Sequence, residues 1–158
     1  MYSVVRLGVS NGHIATRELP TLPDGLHYAC QSKAWFDEQT MLVWIRDVLA
    51  PYVATAPCEI VPILLLDPFK VHMKATVVSA IQALGVEVEF IPPGCTGLVQ
   101  PVDVGYNKAF KSKVKDQYLD WLMNQDHDVP TAKTMHYHVV HWIHAAKQNI
   151  TTEVICTA

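Results

Sequence analysis

Two aspartates carry residue types and spacing that suit a divalent cation. Asp67 closes the run Pro62-Ile63-Leu64-Leu65-Leu66, and Asp103 stands in Gln100-Pro101-Val102-Asp103-Val104-Gly105. A carboxylate directly after a buried apolar strand sits at the carboxyl end of a sheet, where functional groups of open α/β folds gather. Two carboxylates at one sheet edge repel unless a cation lies between them. Oxygen-only ligands favour Mg2+ or Mn2+. Ions held by shared carboxylates are a common way to run in-line phosphoryl displacement on nucleic acid. Simpler roles stay open for both residues. Asp-Pro opens turns, and Asp67 also suits the cap of the helix after it. Asp103 falls in the first turn of a helix, where the macrodipole favours negative charge by itself.

The elements that would position these residues follow from periodicity. Residues 60–66 read as a short strand, continuously apolar and so buried on both faces of a parallel sheet. Residues 71–84 read as a helix. Val71, Ala75, Val78 and Gln82 form one row, and Val77, Ala80, Ile81 and Leu84 widen the buried stripe. Gly85 suits the C′ position. In "VEVEFI", at 86–91, Val86, Val88 and Phe90 face inward and Glu87 and Glu89 outward, as at a charge-guarded sheet edge. Strand, helix and strand with short links make a right-handed parallel crossover. That crossover and the loop "PPGCTGLVQP" return Asp103 to the edge that carries Asp67.

The flanks are read the same way. "MYSVVRLGV" and "IATRELP", joined by the turn "NGH", predict an opening β-hairpin. Asp37 is a predicted N-cap, and Met41, Trp44, Ile45, Val48 and Leu49 form one helical face. Pro51 and Pro57 bracket the exit from that helix. From Val102 a longer helix carries the stripe Val102, Tyr106, Phe110, Val114, Tyr118 and Trp121, and residues 133–149 form a last helix. The four tryptophans are read as core.

Composition sets the class. The 158 residues suit one domain, 1–158, with no repeat or low-complexity tract. Half are hydrophobic and 17% are charged, which marks a folded chain. The net charge of −3 excludes an overall basic signature, so a nucleic-acid partner would meet a local patch. Lys108, Lys111, Lys113 and Lys115, with Lys70 and Lys74, either touch phosphates or form an ordinary solvated face. Cys30, Cys58, Cys95 and Cys156 make no Cys-x-x-Cys pair, so reduced thiols in an intracellular protein are expected. No apolar run is long enough to span a bilayer, and the start lacks a signal-peptide pattern. His136, His138, His141 and His144 invite zinc, but no cysteine or carboxylate completes a standard set, so no zinc is expected there.

"LLLDPFKVH", "FIPPGCTGLVQPVDVG" and "NKAFKSKVK" together resemble the DDE superfamily endonuclease domain of pogo-, Tigger- and jerky-type transposases and of relatives such as centromere protein B. Asp67 with His72 is similar to the family's second catalytic Asp and the His that follows it. The pattern Pro-Pro-x-x-Thr-x-x-x-Gln-Pro-x-Asp is similar to the third-acid motif. The helices around "AWFDEQTMLVWI" and "VVHWIHAAKQN" extend the resemblance to nearly the whole chain.

The resemblance implies an α/β, ribonuclease-H-like mixed sheet flanked by helices. It implies Asp67 and Asp103 as catalytic metal ligands for Mg2+ or Mn2+. Lys70, His72, Lys108, Lys111 and Lys115 would contact DNA, and Thr96 and Gln100 would order the loop that presents Asp103. The family's first Asp lies on a first central strand, upstream of "YSVVRLGVSNGH", so two of three acids are expected here. Asp24, in a turn, and Asp37, at a helix start, do not replace it. The expected protein is therefore a transposase-derived domain, inactive alone, with a homodimer or a partner chain completing the sheet. The alternative is a domesticated non-catalytic module that binds DNA or protein; a third reading is a relic reading frame without a stable product. A nuclear location and no membrane association go with the resemblance.

Overall fold

The computed structural model describes residues 4–8, 14–31, 36–57, 59–124, 130–151 and 153. It divides into two units, Trp35–Gln100 and Met1–Ala34 with Pro101–Ala158, and each has its own core.

In the Trp35–Gln100 unit, Asp37 caps α1 (Glu38–Trp44) as the sequence predicts. Its carboxylate accepts the Thr40 N–H and the Thr40 hydroxyl, both at 2.8 Å. A capping oxygen satisfies a backbone donor that the first helical turn leaves unpaired. Asp37→Ala is expected to cost about 1 kcal/mol in urea denaturation; a variant as stable as the parent would show that the cap is dispensable. The helix runs on through a widened turn, Ile45–Leu49, into α2 (Ala50–Val53). The Ala50 N–H bonds to the Ile45 carbonyl, five residues back, just ahead of Pro51. A widened turn is a local adjustment that lets a proline sit within a helix. The exit at Ala54 falls between Pro51 and Pro57, as expected.

The strand β3 (Ile63–Leu66) follows, then α3 (Ala75–Gln82) and β4 (Glu87–Phe90). The two strands pair in parallel, Ile63 opposite Glu87 and Leu66 opposite Phe90. Gly85 takes φ +74°, a left-handed C′ conformation that turns the chain back toward the sheet. Met41, Ile45, Leu49, Leu66, Val71, Val77, Ile81 and Val86 are buried together, with Val77 and Ile81 fully so. Burying a large aliphatic side chain contributes roughly 1.5–3 kcal/mol, so this cluster dominates the unit's stability.

Three expectations change in this unit. β3 is buried on one face only: Leu66 is 8% exposed, but Ile63 is 59% and Leu65 46% exposed. A continuous apolar run does not require two covered faces, and here the helices of the unit cover one. Phe90, expected inward, is 38% exposed, whereas Val86 and Val88 meet the core as predicted. The helix expected over 71–84 starts at Ala75, because residues 67–74 are tied into turns by Met73 N–H to Phe69 O and Lys74 N–H to Val71 O. Its stripe centres on Val77 and Ile81, while Ala75 and Gln82 are exposed.

The other unit contains β1 (Val4–Gly8) and β2 (His27–Gln31), paired in parallel with Val4 opposite His27. The predicted hairpin does not form. Ile14–Glu18 is a helical turn followed by a short 3-10 turn, Leu19–Thr21, and the turn predicted at 11–13 lies outside the described residues. Alternation in "IATRELP" is a local signal. A parallel partner needs a crossover, and that segment serves as the link. Tyr28 and Cys30 of β2 pack on a cluster with Leu26 and Val140, which gives β2 an apolar face to bury. The paired strands described are all parallel, so the antiparallel part of the expected mixed sheet is not among them.

A helical stretch begins with the widened turn Val102–Tyr106 and continues as α5 (Asn107–Met123), after the one-turn α4 (Thr96–Val99) of the first unit. Its predicted core stripe is only partly buried. Tyr106 is 6% exposed, but Val102 and Tyr118 are 41% and 38% exposed. The last helix, α6 (Ala132–Gln148), is capped by the Thr131 hydroxyl, which accepts the Thr134 N–H at 3.2 Å. α5 and α6 meet through aromatic rings: Trp142 contacts Trp121 at 5.4 Å and Tyr118 at 5.6 Å. No helix among the described residues is long and apolar enough to cross a membrane.

Candidate functional site

Asp67 stands at the carboxyl end of β3, where the strand gives way to Pro68. The β-ladder holds this end, because the Ile91 N–H donates to the Leu66 carbonyl at 2.8 Å. The Asp67 side chain is 38% exposed. Its Oδ1 lies 2.7 Å from His72 Nδ1, and the same nitrogen lies 3.2 Å from the Asp67 carbonyl oxygen. Nδ1 meets hydrogen-bond geometry with the carbonyl oxygen, whereas its approach to Oδ1 is a close contact off that line. The other carboxylate oxygen, Oδ2, makes no hydrogen bond among the described residues. The His72 ring meets Phe69 edge-on, with centroids 5.4 Å apart and planes at 75°, and Phe36 at 6.2 Å and 77°. Spacing alone flagged Asp67 and His72. The two phenylalanines were missed, and Phe69, two residues after Asp67, is the nearer signal.

Asp103 belongs to the other unit and is described there. It lies in the first turn after Pro101 and is exposed. Asn107 Nδ2 donates to its Oδ1 at 2.5 Å. The sequence reading missed Asn107, although a spacing of four on a helix brings such side chains together. Each candidate carboxylate therefore has one oxygen beside a polar neighbour, hydrogen-bonded in Asp103 and in close contact in Asp67, and one without such a neighbour among the described residues. Hard anionic oxygens with an open position match what Mg2+ and Mn2+ take, since these ions bind one or two carboxylates and keep several waters. Among the described residues no cluster of three His, Cys, Asp or Glu side chains forms a ready-made metal cage.

The loop before Asp103 is ordered mainly by backbone geometry. Cys95 N–H reaches Pro92 O at 3.1 Å across Pro93 and Gly94, and Gly94 takes φ +79°. Proline then a positive-φ glycine is the requirement of a type II turn. Thr96 opens α4, and its carbonyl accepts the Gln100 N–H at 3.1 Å. The Gln100 side-chain oxygen is buried without a hydrogen-bond partner among the described residues.

Lys108, Lys111 and Lys115 are exposed on α5. At about 100° per residue they fall within about 60° of one another, while Lys113 points to another side. Lys70 is exposed in the turn after Pro68. Lys74 is engaged: its ammonium bonds Glu38 at 2.6 Å, and the Thr76 hydroxyl also donates to that carboxylate. The Lys74 bond, then the Thr76 bond, hold Glu38 below the usual carboxylate range. Asp37 is occupied as a cap. On α6, His136 pairs with buried Glu18 at 2.9 Å, and His138 stacks on Trp142 at 5.8 Å.

The family profile described as "DDE superfamily endonuclease" matches residues 9–158. The chain belongs to the DDE superfamily endonuclease family. It is 28% identical over 101 residues to the pogo transposable element with KRAB domain of Mus musculus, covering 64% of this chain and 16% of that protein. The human protein of the same name is 27% identical over 101 residues, again 64% and 16%. The Jerky protein of Mus musculus is 29% identical over 110 residues, 66% of this chain and 19% of that one. The chain thus spans less than a fifth of these relatives' length. No solved structure matches it. The pogo- and jerky-type resemblance read from the Asp67 and Asp103 motifs is therefore shown, and the domain is a DDE endonuclease domain related to transposases.

Proposed function

We propose that residues 1–158 form one domain of ribonuclease-H-like type that binds DNA and a divalent cation. Asp67 and Asp103 are the metal ligands, and Lys70, Lys108, Lys111 and Lys115 contact DNA phosphates. The observation that carries this is the state of Asp67: a carboxylate at a parallel strand's end, partly exposed, with one oxygen beside His72 and the other open. Asp103 supports it with the same division of labour, Asn107 holding one oxygen. When bound, Mg2+ or Mn2+ would supply Lewis-acid activation of an attacking water or DNA 3′-hydroxyl and charge stabilisation of the leaving oxygen. The chain's own residues orient the two carboxylates and neutralise phosphates along α5. The family resemblance calls for three acids, of which two are matched within these residues, so DNA binding is expected to exceed strand cleavage when this chain is tested by itself.

The test is isothermal titration of MgCl2 and MnCl2 into the parent chain and an Asp67→Ala/Asp103→Ala variant, with folding checked by circular dichroism. Binding by the parent that disappears in the double variant is the expected result. Equal binding by both, or none by a folded parent, overturns the metal reading. In the latter case salt-dependent DNA binding would leave a non-catalytic binding module.

A further inference from the structure

Two polar side chains four apart on a helix are an everyday pair, but the turn that carries Asp103 and Asn107 is not an everyday turn. We infer that Asn107 is a positioning residue for Asp103: its side-chain amide commits Oδ1 and leaves Oδ2 as the oxygen offered to a cation. This rests on the metal reading of Asp103 proposed above.

Four observations carry it. First, Asn107 Nδ2 donates to Asp103 Oδ1 at 2.5 Å. An ionised carboxylate only accepts, so the amide must turn its nitrogen toward it. A donor on an ionised oxygen makes a charge-assisted bond, stronger than a neutral pair. The amide is itself uncharged and does not titrate, so it holds the oxygen without cancelling the charge that would attract a cation. Second, the Asn107 backbone N–H bonds the Val102 carbonyl, five residues back, and closes the widened turn. Asn107 thus holds the main chain just before Asp103 as well as its side chain. In a regular helix residues four apart are offset by about 40° around the axis. A turn closed over five residues draws the fourth nearer to a line above the first, and such turns occur frequently at functional sites. Third, the turn is anchored from below. Tyr106, directly before Asn107, is 6% exposed and stacks on Phe110 with centroids 5.7 Å apart and planes at 17°. Fourth, Asn107 is half-buried and Asp103 is exposed. The more enclosed residue is the support, and the open one is the residue an ion can reach. A carboxylate free to rotate can chelate with two oxygens or swing away, whereas one held at Oδ1 presents a single oxygen in a fixed direction.

Removing an ordinary helix-surface pair changes stability little. Asn107→Leu keeps the side chain's size and drops the donor. It should unfold in urea nearly as the parent does, yet bind Mn2+ roughly 10–100-fold more weakly in isothermal titration, as when a partner behind a metal ligand is lost. Asn107→Gln restores an amide, and such an amide can bond a carboxylate four residues away on a helix. Its Mn2+ affinity should stay within a few-fold of the parent's. DNA affinity without metal should be the same in all three proteins.

A second readout follows the bond itself. In 1H–15N spectra, one proton of the Asn107 side-chain amide should be shifted downfield from its twin. The difference should collapse in Asp103→Ala and persist when the parent is saturated with Mg2+. Loss of the shift on adding Mg2+ would mean that the ion displaces Asn107, and overturns the inference. So does unweakened Mn2+ binding by a folded Asn107→Leu protein, or an Asn107→Gln protein as weak as Asn107→Leu; each leaves the metal reading standing. Weakened metal-free DNA binding by Asn107→Leu overturns it in favour of a DNA contact. A folded parent that binds neither Mg2+ nor Mn2+ overturns the metal reading, and this inference with it.

Discussion

Replacing Lys108, Lys111 and Lys115 together by Ala is expected to weaken binding to duplex DNA roughly a hundredfold at low salt and to flatten its salt dependence. Each lysine that neutralises a phosphate releases condensed counterion, so each lost contact should lower the slope of log K against log salt by about one. Three losses from one helix face should therefore lower it by about three. The lysines are exposed on α5 and lie on one side of it. Lys113 is also exposed but points elsewhere, which makes Lys113→Ala the internal control. Fluorescence anisotropy across a salt series measures both quantities. If Lys113→Ala alone matches one third of the triple effect, net charge rather than a face governs binding. If the triple variant binds as the parent does, α5 is an ordinary solvated helix.

Ile81→Ala should be the most damaging single change to the fold, lowering stability by about 3 kcal/mol within the 2–5 kcal/mol range of such truncations. Ile81 is fully buried and belongs to the cluster with Met41, Ile45, Leu66, Val77 and Val86. Those neighbours come from two helices, a strand and a turn that share one core, so the cavity has few ways to close. Gln82→Ala, next along the same helix and exposed, should change stability by less than about 0.5 kcal/mol. Urea denaturation followed by circular dichroism compares the two. A loss under about 1 kcal/mol for Ile81→Ala would mean that the Trp35–Gln100 core is looser than its burial indicates. Because Leu66 shares that core and Asp67 follows it, the same substitution should also loosen the strand end that carries the candidate ligand.

Legibility tracked how local each signal was. The cap at Asp37 and the helical face of Met41, Ile45, Val48 and Leu49 rest on neighbours within a turn or two, and the β3–α3–β4 crossover rests on strand, helix and strand that follow one another with short links; all appear in the structure. The opening hairpin failed because its evidence was local but its outcome was not. Val4–Gly8 chose His27–Gln31, about twenty residues away, over the adjacent segment. The stripe on α5 was legible as a pattern, yet Val102 and Tyr118 are exposed, because periodicity states which residues share a face and not whether anything covers it. The site follows the same rule. Asp67 and His72 were marked by a spacing of five. Phe36, thirty-one positions before Asp67 in the chain, carries no mark in the sequence and is found only through its 6.2 Å contact with His72.

The one-sided burial of β3 has a colloidal consequence. Its four residues, Ile63-Leu64-Leu65-Leu66, contain no charge, proline or glycine, and among the described residues β4 is their single neighbour in the sheet. β4 carries Glu87 and Glu89, exposed charges that discourage like strands from adding to it. β3 has no such charge between Pro62 and Asp67, and Ile63 and Leu65 present apolar surface. Concentrated samples would therefore thicken and cloud from this strand outward, and a single lysine in place of Leu65 is where a protein engineer would start to keep them clear.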